Sequence, residues 1–397
     1  MEIRSVTLFC EPDRDPNEFA PFLVAARAAF PVRVQSVRLG ATPFPLWLPR
    51  DRAAEAVAAF AAAWQRASVD YISLGLVQLD HDPAWLDLIP GLLAAANGVF
   101  VSVEIATPDG RLSLERGREM ARLIRRVATL HADGFGNLFL GPLAGCGPGH
   151  PVLPASYHGG GPARFAIAVE SADVALDAIA GAATLDEARA RLVAGIEDAA
   201  AAMVPVAARL ADWYGIAFSG LDFSLAPYPT PDKSLGAALE TVGTQLGAPG
   251  ALFAAAFITE AIDRARFPRT GFSGLMLPVL EDATLARRAA AGELALNDLL
   301  LYSAVCGVGL DTVPLPGDVD EATLTGILLD TAALSARLRK PLVARLMPLP
   351  GLRANDPTVF SFEYFAPGGV MAVAGDGVTG LLAGKASLDF APYYAVR

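Results

Sequence analysis

The chain has 397 residues, of which 53% are hydrophobic and only 18% charged, a balance that supports a large buried core and argues against disorder. Its formal net charge is −11 and no lysine-rich run occurs, so a phosphate-neutralising face for nucleic acid is not expected. Mean hydropathy is +0.41, but the longest apolar stretches, "ALFAAAFI" (251–258) and "AAEAVAAFAAAW" (53–64), are short or broken by charge. A membrane span needs about 20 apolar residues in a row, so alanine rather than a span raises the average.

The opening MEIRSVTLFCEPDRD has no basic stretch followed by an apolar core and a small-residue cleavage site, and reads as the first strand of a cytosolic protein. Cys10, Cys146 and Cys306 have no CxxC spacing, so neither a disulfide frame nor a zinc knuckle is indicated. Strand-like and helix-like segments then alternate. Strands are predicted at 3–10, 32–40, 71–79 and 99–106, and helices at 17–30, 50–67 and 113–131, with a further helix between them bent at Pro90. Ser113 suits the N-cap of its helix, although Arg116 replaces the glutamate of a full capping box.

The rhythm breaks at 134–163, a Gly- and Pro-rich loop of the length that is often functional. "FAIAVES" restores a strand, and a long helix is predicted over 184–215. The most regular βα repeats run from 216 to 349: strands at 216–227, 272–279, 309–316 and 341–349, with helices at 234–247, 250–265, 286–306 and 320–338. About nine or ten strands exceed a simple doubly wound sheet. One large domain over 1–397 is expected: a mostly parallel, roughly ten-stranded α/β barrel, or a pair of half-barrels, with helices outside.

In such folds ligands bind at the carboxyl ends of strands, which selects acids, one histidine and one arginine from different strands. Asp222 and Asp311 interrupt apolar strands, and a buried carboxylate is costly unless paired or metal-bound. Pairing with Arg345 and catalysis both satisfy that cost. Glu281–Asp282 suits either a site or a helix N-terminus, and Asp318 a turn or N-cap. His158 lies beside three glycines, where backbone can approach a ligand, and Glu170 follows in the next strand. Cys306 reads first as a small buried hydrophobe, and a nucleophilic role would need a nearby cation. No nucleotide-binding loop is present.

The motifs "LDFSLAPYPTPDKSLGAALETVG", "GAPGALFAAAFITEAI", "GFSGLMLPVLED" and "SAVCGVGLDTVPLPGD", in this order, with "FLGPLAGCGPGHPVLPASYH" and "FAIAVESADV" before them, resemble the family DUF 711, also called UPF 0210. That resemblance implies a cytosolic protein with a barrel like that of the glycyl-radical enzymes typified by pyruvate formate-lyase. It also implies a cavity lined by His158, Glu170, Asp222, Ser273, Glu281, Asp311 and Asp318, with Cys306 a weaker candidate. The C-terminal segment "VFSFEYFAPGGVMAVAGDGVTGLLAG" lacks the radical-glycine signature, so no glycyl radical is expected, and shared fold alone does not carry function.

Two functions follow from these residues. The first is an enzyme of open reaction class (hydrolase, lyase or isomerase) acting on a small polar metabolite. Asp222, Glu281, Asp311 and Asp318 would hold a divalent cation such as Mg or Ca, with His158, Asp222 and Asp311 in acid–base roles. Glu170, Ser273 and Arg345 would contact substrate, Arg345 pairing with its carboxylate. The alternative is a sensor that uses the same cavity for binding only. A homodimer is expected from the frequency of such assemblies.

Overall fold

The structure, a computed structural model, describes residues 1–393. Ten strands organise it: β1 (Glu2–Phe9), β2 (Val37–Gly40), β3 (Tyr71–Val77), β4 (Val99–Ala106), β5 (Arg111–Ser113), β6 (Leu140–Ala144), β7 (Arg164–Glu170), β8 (Ala217–Ala226), β9 (Gly309–Pro316) and β10 (Leu342–Leu349). They belong to an 11-stranded mixed sheet whose main path runs β8-β7-β1-β2-β3-β4-β6-β10-β9, with β5 and the short strand Ser387–Asp389 off that path. No helix among the described residues is long and apolar enough to cross a membrane.

Direction divides the sheet in two. β1, β2, β3, β4 and β6 are mutually parallel. β7 with β8, and β9 with β10, are also parallel pairs, but they meet the first group antiparallel at β1–β7 and β6–β10. Glu2 at the start of β1 therefore stands opposite Glu170 at the end of β7. One end of the sheet gathers the amino ends of five strands and the carboxyl ends of four.

Residues 268–279, predicted as a strand from 272, are extended but irregular. They pair with β8 through Leu221↔Arg269 and with β9 through Pro278↔Asp311, both parallel. Leu221 N donates to Pro268 O (2.7 Å), Met276 N to Ser224 O (2.9 Å) and Val279 N to Asp311 O (3.0 Å). The two strands that end the sheet order thus share one extended neighbour. The irregularity has a specific cause. The amides of Phe272 and Ser273 donate to the Asp222 carboxylate, at 2.8 and 3.2 Å, instead of to a strand carbonyl.

Strand alternation gives the sheet two faces, each with its own apolar cluster, and a third cluster lies around Leu280, Met347 and Phe365. In β1, Val6 and Leu8 face the large apolar core that also holds Phe22 and Leu23 of helix Pro16–Ala28. Ser5 and Thr7 face the other way and donate to Pro151 O, each at 3.0 Å. Ser102 of β4 does the same for Pro154 O. The Gly/Pro-rich loop therefore lies against the sheet, and its carbonyls, which have no ladder partner, are satisfied by strand hydroxyls. Around it Leu76, Leu143, Ala168, Met276 and Val343 form a second apolar cluster with Val152 and Tyr157 of the loop.

Several sequence expectations need correction. β6 was hidden in the Gly/Pro-rich stretch because Gly141 and Pro142 disfavour strands. Gly141 is needed there, since a Cβ would sit 2.3 Å from Pro154 Cγ. The single helix expected over 286–306 is two, Ala283–Ala290 and Leu296–Ser303, separated at Gly292 with φ +68°. Pro90 does not bend a helix but begins one, in Ile89–Ala95 after a 3-10 turn. Ser113 caps its helix as expected, accepting from Arg116 N at 3.2 Å.

Gly141→Ala is expected to displace the 145–158 loop and lower stability by about 1–3 kcal/mol. Denaturant midpoints and limited proteolysis within the loop check this; unchanged protection would show that the loop is not held against β6.

Candidate active site

At the end of the sheet where the two strand directions meet, four arginines face a cavity of about 390 Å³: Arg4, Arg33, Arg38 and Arg345. Arg4 and Arg38 lie on β1 and β2, and Arg345 on β10. The same cavity is lined by aromatic rings at the starts of β3 and β4, Tyr71 and Phe100, with Phe139 before β6 and Phe362 and Tyr364 from the C-terminal segment.

Three carboxylates also line this cavity: Asp70 pairs with Arg27 (2.6 Å), Glu363 is exposed with no ion pair among the described residues, and Glu281 is tied into the arginines together with Asp311 behind it. Arg345 donates through Nε to Asp311 Oδ1 (2.6 Å), through Nη2 to Glu281 Oε1 (3.0 Å) and through Nη1 to Leu138 O (3.3 Å). Arg4 pairs with the other oxygen of Glu281 and donates to Pro227 O at 3.3 Å. All four side chains are nearly excluded from solvent. Burial opposes ionisation of Glu281, but Arg4 and Arg345 outweigh it and hold its carboxyl below the ordinary range. At Asp311 burial dominates over Arg345 and Glu281 adds to it, so the carboxyl is pushed up. Glu170 adjoins this network through Gln35, which donates to it at 2.7 Å, and Lys233 at 3.4 Å; burial raises its pKa despite Arg4.

Arg38 differs from the other three. Arg4, Arg345 and Arg33 each have a carboxylate within 4 Å, the last being Glu2 at 3.8 Å. Arg38 is buried, donates through Nε to Ser36 Oγ (2.9 Å) and lies 5.7 Å from the Tyr71 ring centroid. Among the described residues it makes no ion pair. Burial, with Arg4 beside it, lowers its pKa to about 10.

The remaining sequence candidates are not all brought here. Asp222 is fully buried, but its oxygens are taken by the amides of Phe272 and Ser273 and by the Ser224 hydroxyl. Burial raises its pKa to about 6. Ser273, at φ +43°, donates to Thr270 O at 2.9 Å and serves the same turn. Asp318 is exposed on the loop after β9, and the next helix is capped instead by Asp320, which accepts from Thr323 N at 2.6 Å. Cys306 is buried in the main core. The structure does bring a cation to its neighbourhood, but Lys340 donates its ammonium to the carbonyls of Ser303 and Cys306. His158 lies at the opposite end, since Arg4 and Glu11 are seven residues apart along and just beyond β1, roughly 23 Å. There it is buried, 3.1 Å from Gly161 O and 3.9 Å from Glu11, beside a second cavity that Glu11, Asp13 and Trp47 help line. Burial lowers its pKa. Among the described residues no group of three or more His, Cys, Asp or Glu is arranged to hold a metal ion, and Asp222, Glu281, Asp311 and Asp318 do not form one ligand set.

Arg4 and Arg38 were missed from the sequence, although the signal was present. Both interrupt apolar strands, "IRSVTLF" and "VRLG", just as Asp222 and Asp311 do.

Residues 13–361 match the family model described as Uncharacterised ACR (DUF711). The chain belongs to the DUF711 family. Its similarity extends to proteins named UPF0210. One from Pyrobaculum arsenaticum is 32% identical over 347 residues, covering 82% of this chain and 75% of the relative. One from Lactiplantibacillus plantarum is 29% identical, covering 81% and 76%, and one from Lacticaseibacillus casei 27%, covering 89% and 80%. The DUF711 match includes β2 to β10 with Arg38, Glu281, Asp311 and Arg345, and begins after Arg4.

Two measurements probe the buried charges of this DUF711 protein, one at the arginine site and one at Asp222. Arg345→Met leaves two buried carboxylates short of a partner and is expected to destabilise by about 3–5 kcal/mol; denaturation that shows less than about 1 kcal/mol would mean the network is solvated. The Asp222 carboxyl binds its proton more tightly folded than unfolded, so it stabilises fully below pH 4 and loses that contribution as pH rises to about 6. Wild type minus Asp222→Asn should therefore fall by about 2–3 kcal/mol between pH 4 and 7. A flat difference would overturn the assignment.

Proposed function

We propose that this DUF711 protein is a cytosolic enzyme that binds a small anionic metabolite in the arginine-lined cavity. The observation that carries this reading is Arg38. Arg38 is buried with no ion pair among the described residues and is attracted by Glu281 only beyond ion-pair distance; such a buried cation is costly, and such costs concentrate where a ligand supplies further negative charge. The fork of donors on arginine suits carboxylate or phosphate. A cavity of about 390 Å³ is within the range of small-molecule sites.

Acid–base chemistry would rest on Glu281 and Asp311. Their environments push the two carboxyls in opposite directions, the pattern by which neighbouring acids divide the roles of base and proton donor. The same reading takes residues 268–279 as a tenth strand position that closes the sheet into a cylinder, with five strands running each way. Its support is the hydrogen bonding of this segment to both β8 and β9. The arginine cavity would then be one mouth of that cylinder.

The second reading, binding without turnover, is favoured by one observation: Glu281 is held by two arginines, which weakens it as a base. Asp311→Asn separates the two, since it should abolish turnover of any anion processed while sparing binding.

Arg38→Met tests the anion site itself. With carboxylates or phosphate on the order of 10 mM, wild type should gain thermal stability and the variant should not. The apo variant should be as stable as wild type or more so, because it loses an unpaired buried charge. An apo variant destabilised by more than about 2 kcal/mol that keeps its anion response would make Arg38 a structural residue.

A further inference from the structure

Resting on the reading of this cavity as an anion site, we propose that its ligand is a planar, conjugated ring bearing the carboxylate or phosphate, and not an aliphatic acid. The apolar part of the lining is mostly aromatic: Tyr71, Phe100, Phe139, Phe362 and Tyr364, against two leucines. These rings come from separate places in the chain. Tyr71 and Phe100 sit at the starts of adjacent parallel strands, with centroids 5.9 Å apart and rings nearly perpendicular. Phe139 continues the row, 5.0 Å from Phe100. Phe362 and Tyr364, 5.3 Å apart, arrive from the C-terminal segment and are braced there by Phe135 and Tyr228.

Filling space accounts for Phe139 and Phe362 in part, but not for Tyr71 and Tyr364. Four of the five rings remain only partly buried where they line the cavity, although Phe139 and Phe362 also pack against the apolar cluster that holds Leu280, Met347 and Phe365. Among the described residues the hydroxyls of Tyr71 and Tyr364 have no hydrogen-bond partner, so both are free to face a polar edge. Aromatic faces and edges recognise flat π-systems through offset and edge-to-face contacts that a saturated ring cannot make. Arg38 supplies both elements at once. Its guanidinium lies over Tyr71, and its open donors are placed to hold an anionic group projecting from a ring that stacks beside it. The cavity volume fits one or two fused rings.

The test uses the full-length protein and pairs of probes that differ in aromaticity but not in charge. The pairs are benzoate with cyclohexanecarboxylate, 2-naphthoate with its decahydro form, and phenyl phosphate with cyclohexyl phosphate, each titrated calorimetrically to high millimolar concentration. The carboxylate and phosphate arms identify the anionic group. At least one aromatic member should bind tenfold or more tightly than its saturated partner. Tyr364→Leu should shrink that preference without abolishing binding, and Arg38→Met should remove both members of the pair. Equal binding of aromatic and saturated members, both lost in Arg38→Met, overturns this proposal and leaves the anion site standing. Failure of every probe to bind overturns both. An aromatic preference that survives Tyr364→Leu and a parallel Phe139→Leu variant undiminished would place the ring elsewhere and also sink the proposal.

Discussion

One carboxylate, Glu281, joins parts of the sheet that the strand order keeps apart. Arg4 comes from β1 and Arg345 from β10, and four strands separate them along the path. None of these buried charges is affordable singly, because each ion loses its water. Together they neutralise one another, so the network holds only when both halves of the sheet are in place. Asp311 extends the chain to β9 through Arg345. The cavity, the aromatic row and the unpaired Arg38 are all arranged around this crossing point.

The rule that ligands sit at strand carboxyl ends works here for only half the sheet. β7, β8, β9 and β10 end at the arginine cavity, whereas β1 to β4 and β6 begin there. Looking after strand ends therefore reaches Glu170 and Glu281 but passes over Arg4, Arg38 and Tyr71, which lie near strand starts. Strand direction depends on pairing between segments distant in sequence, and no local pattern records it.

What was legible follows the same physics. β1, β4, β9, β10 and the capped helix Leu114–Ala128 were readable because periodicity and capping are local. The Asp311–Arg345 pairing was visible as one of two ways to satisfy a buried carboxylate. The strand at 272–279 was read too regularly because the sequence does not announce that Asp222 captures two of its amides. The sequence gives His158 and the group Glu281, Asp311 and Arg345 each a reason to be special and so suggests one site, and only the fold sets them at opposite ends. The Gly/Pro-rich segment was readable as unusual, but its place against the inner hydroxyls of β1 and β4 required knowing which face Ser5, Thr7 and Ser102 present.

The contrast between the two ends has an electrical consequence. Glu11 and Asp13 border one cavity, and four arginines with three carboxylates, Asp70, Glu281 and Glu363, border the other, while the molecule as a whole carries −11. An anion bound as proposed would have to cross the long-range repulsion of that net charge before the arginines attract it. Mobile ions thin that repulsion within a Debye length, about 8 Å at physiological strength, yet reach the interior pair far less. For an anion bound as proposed above, added salt would thus hasten encounter while barely loosening the complex, the reverse of the usual behaviour of electrostatically steered partners.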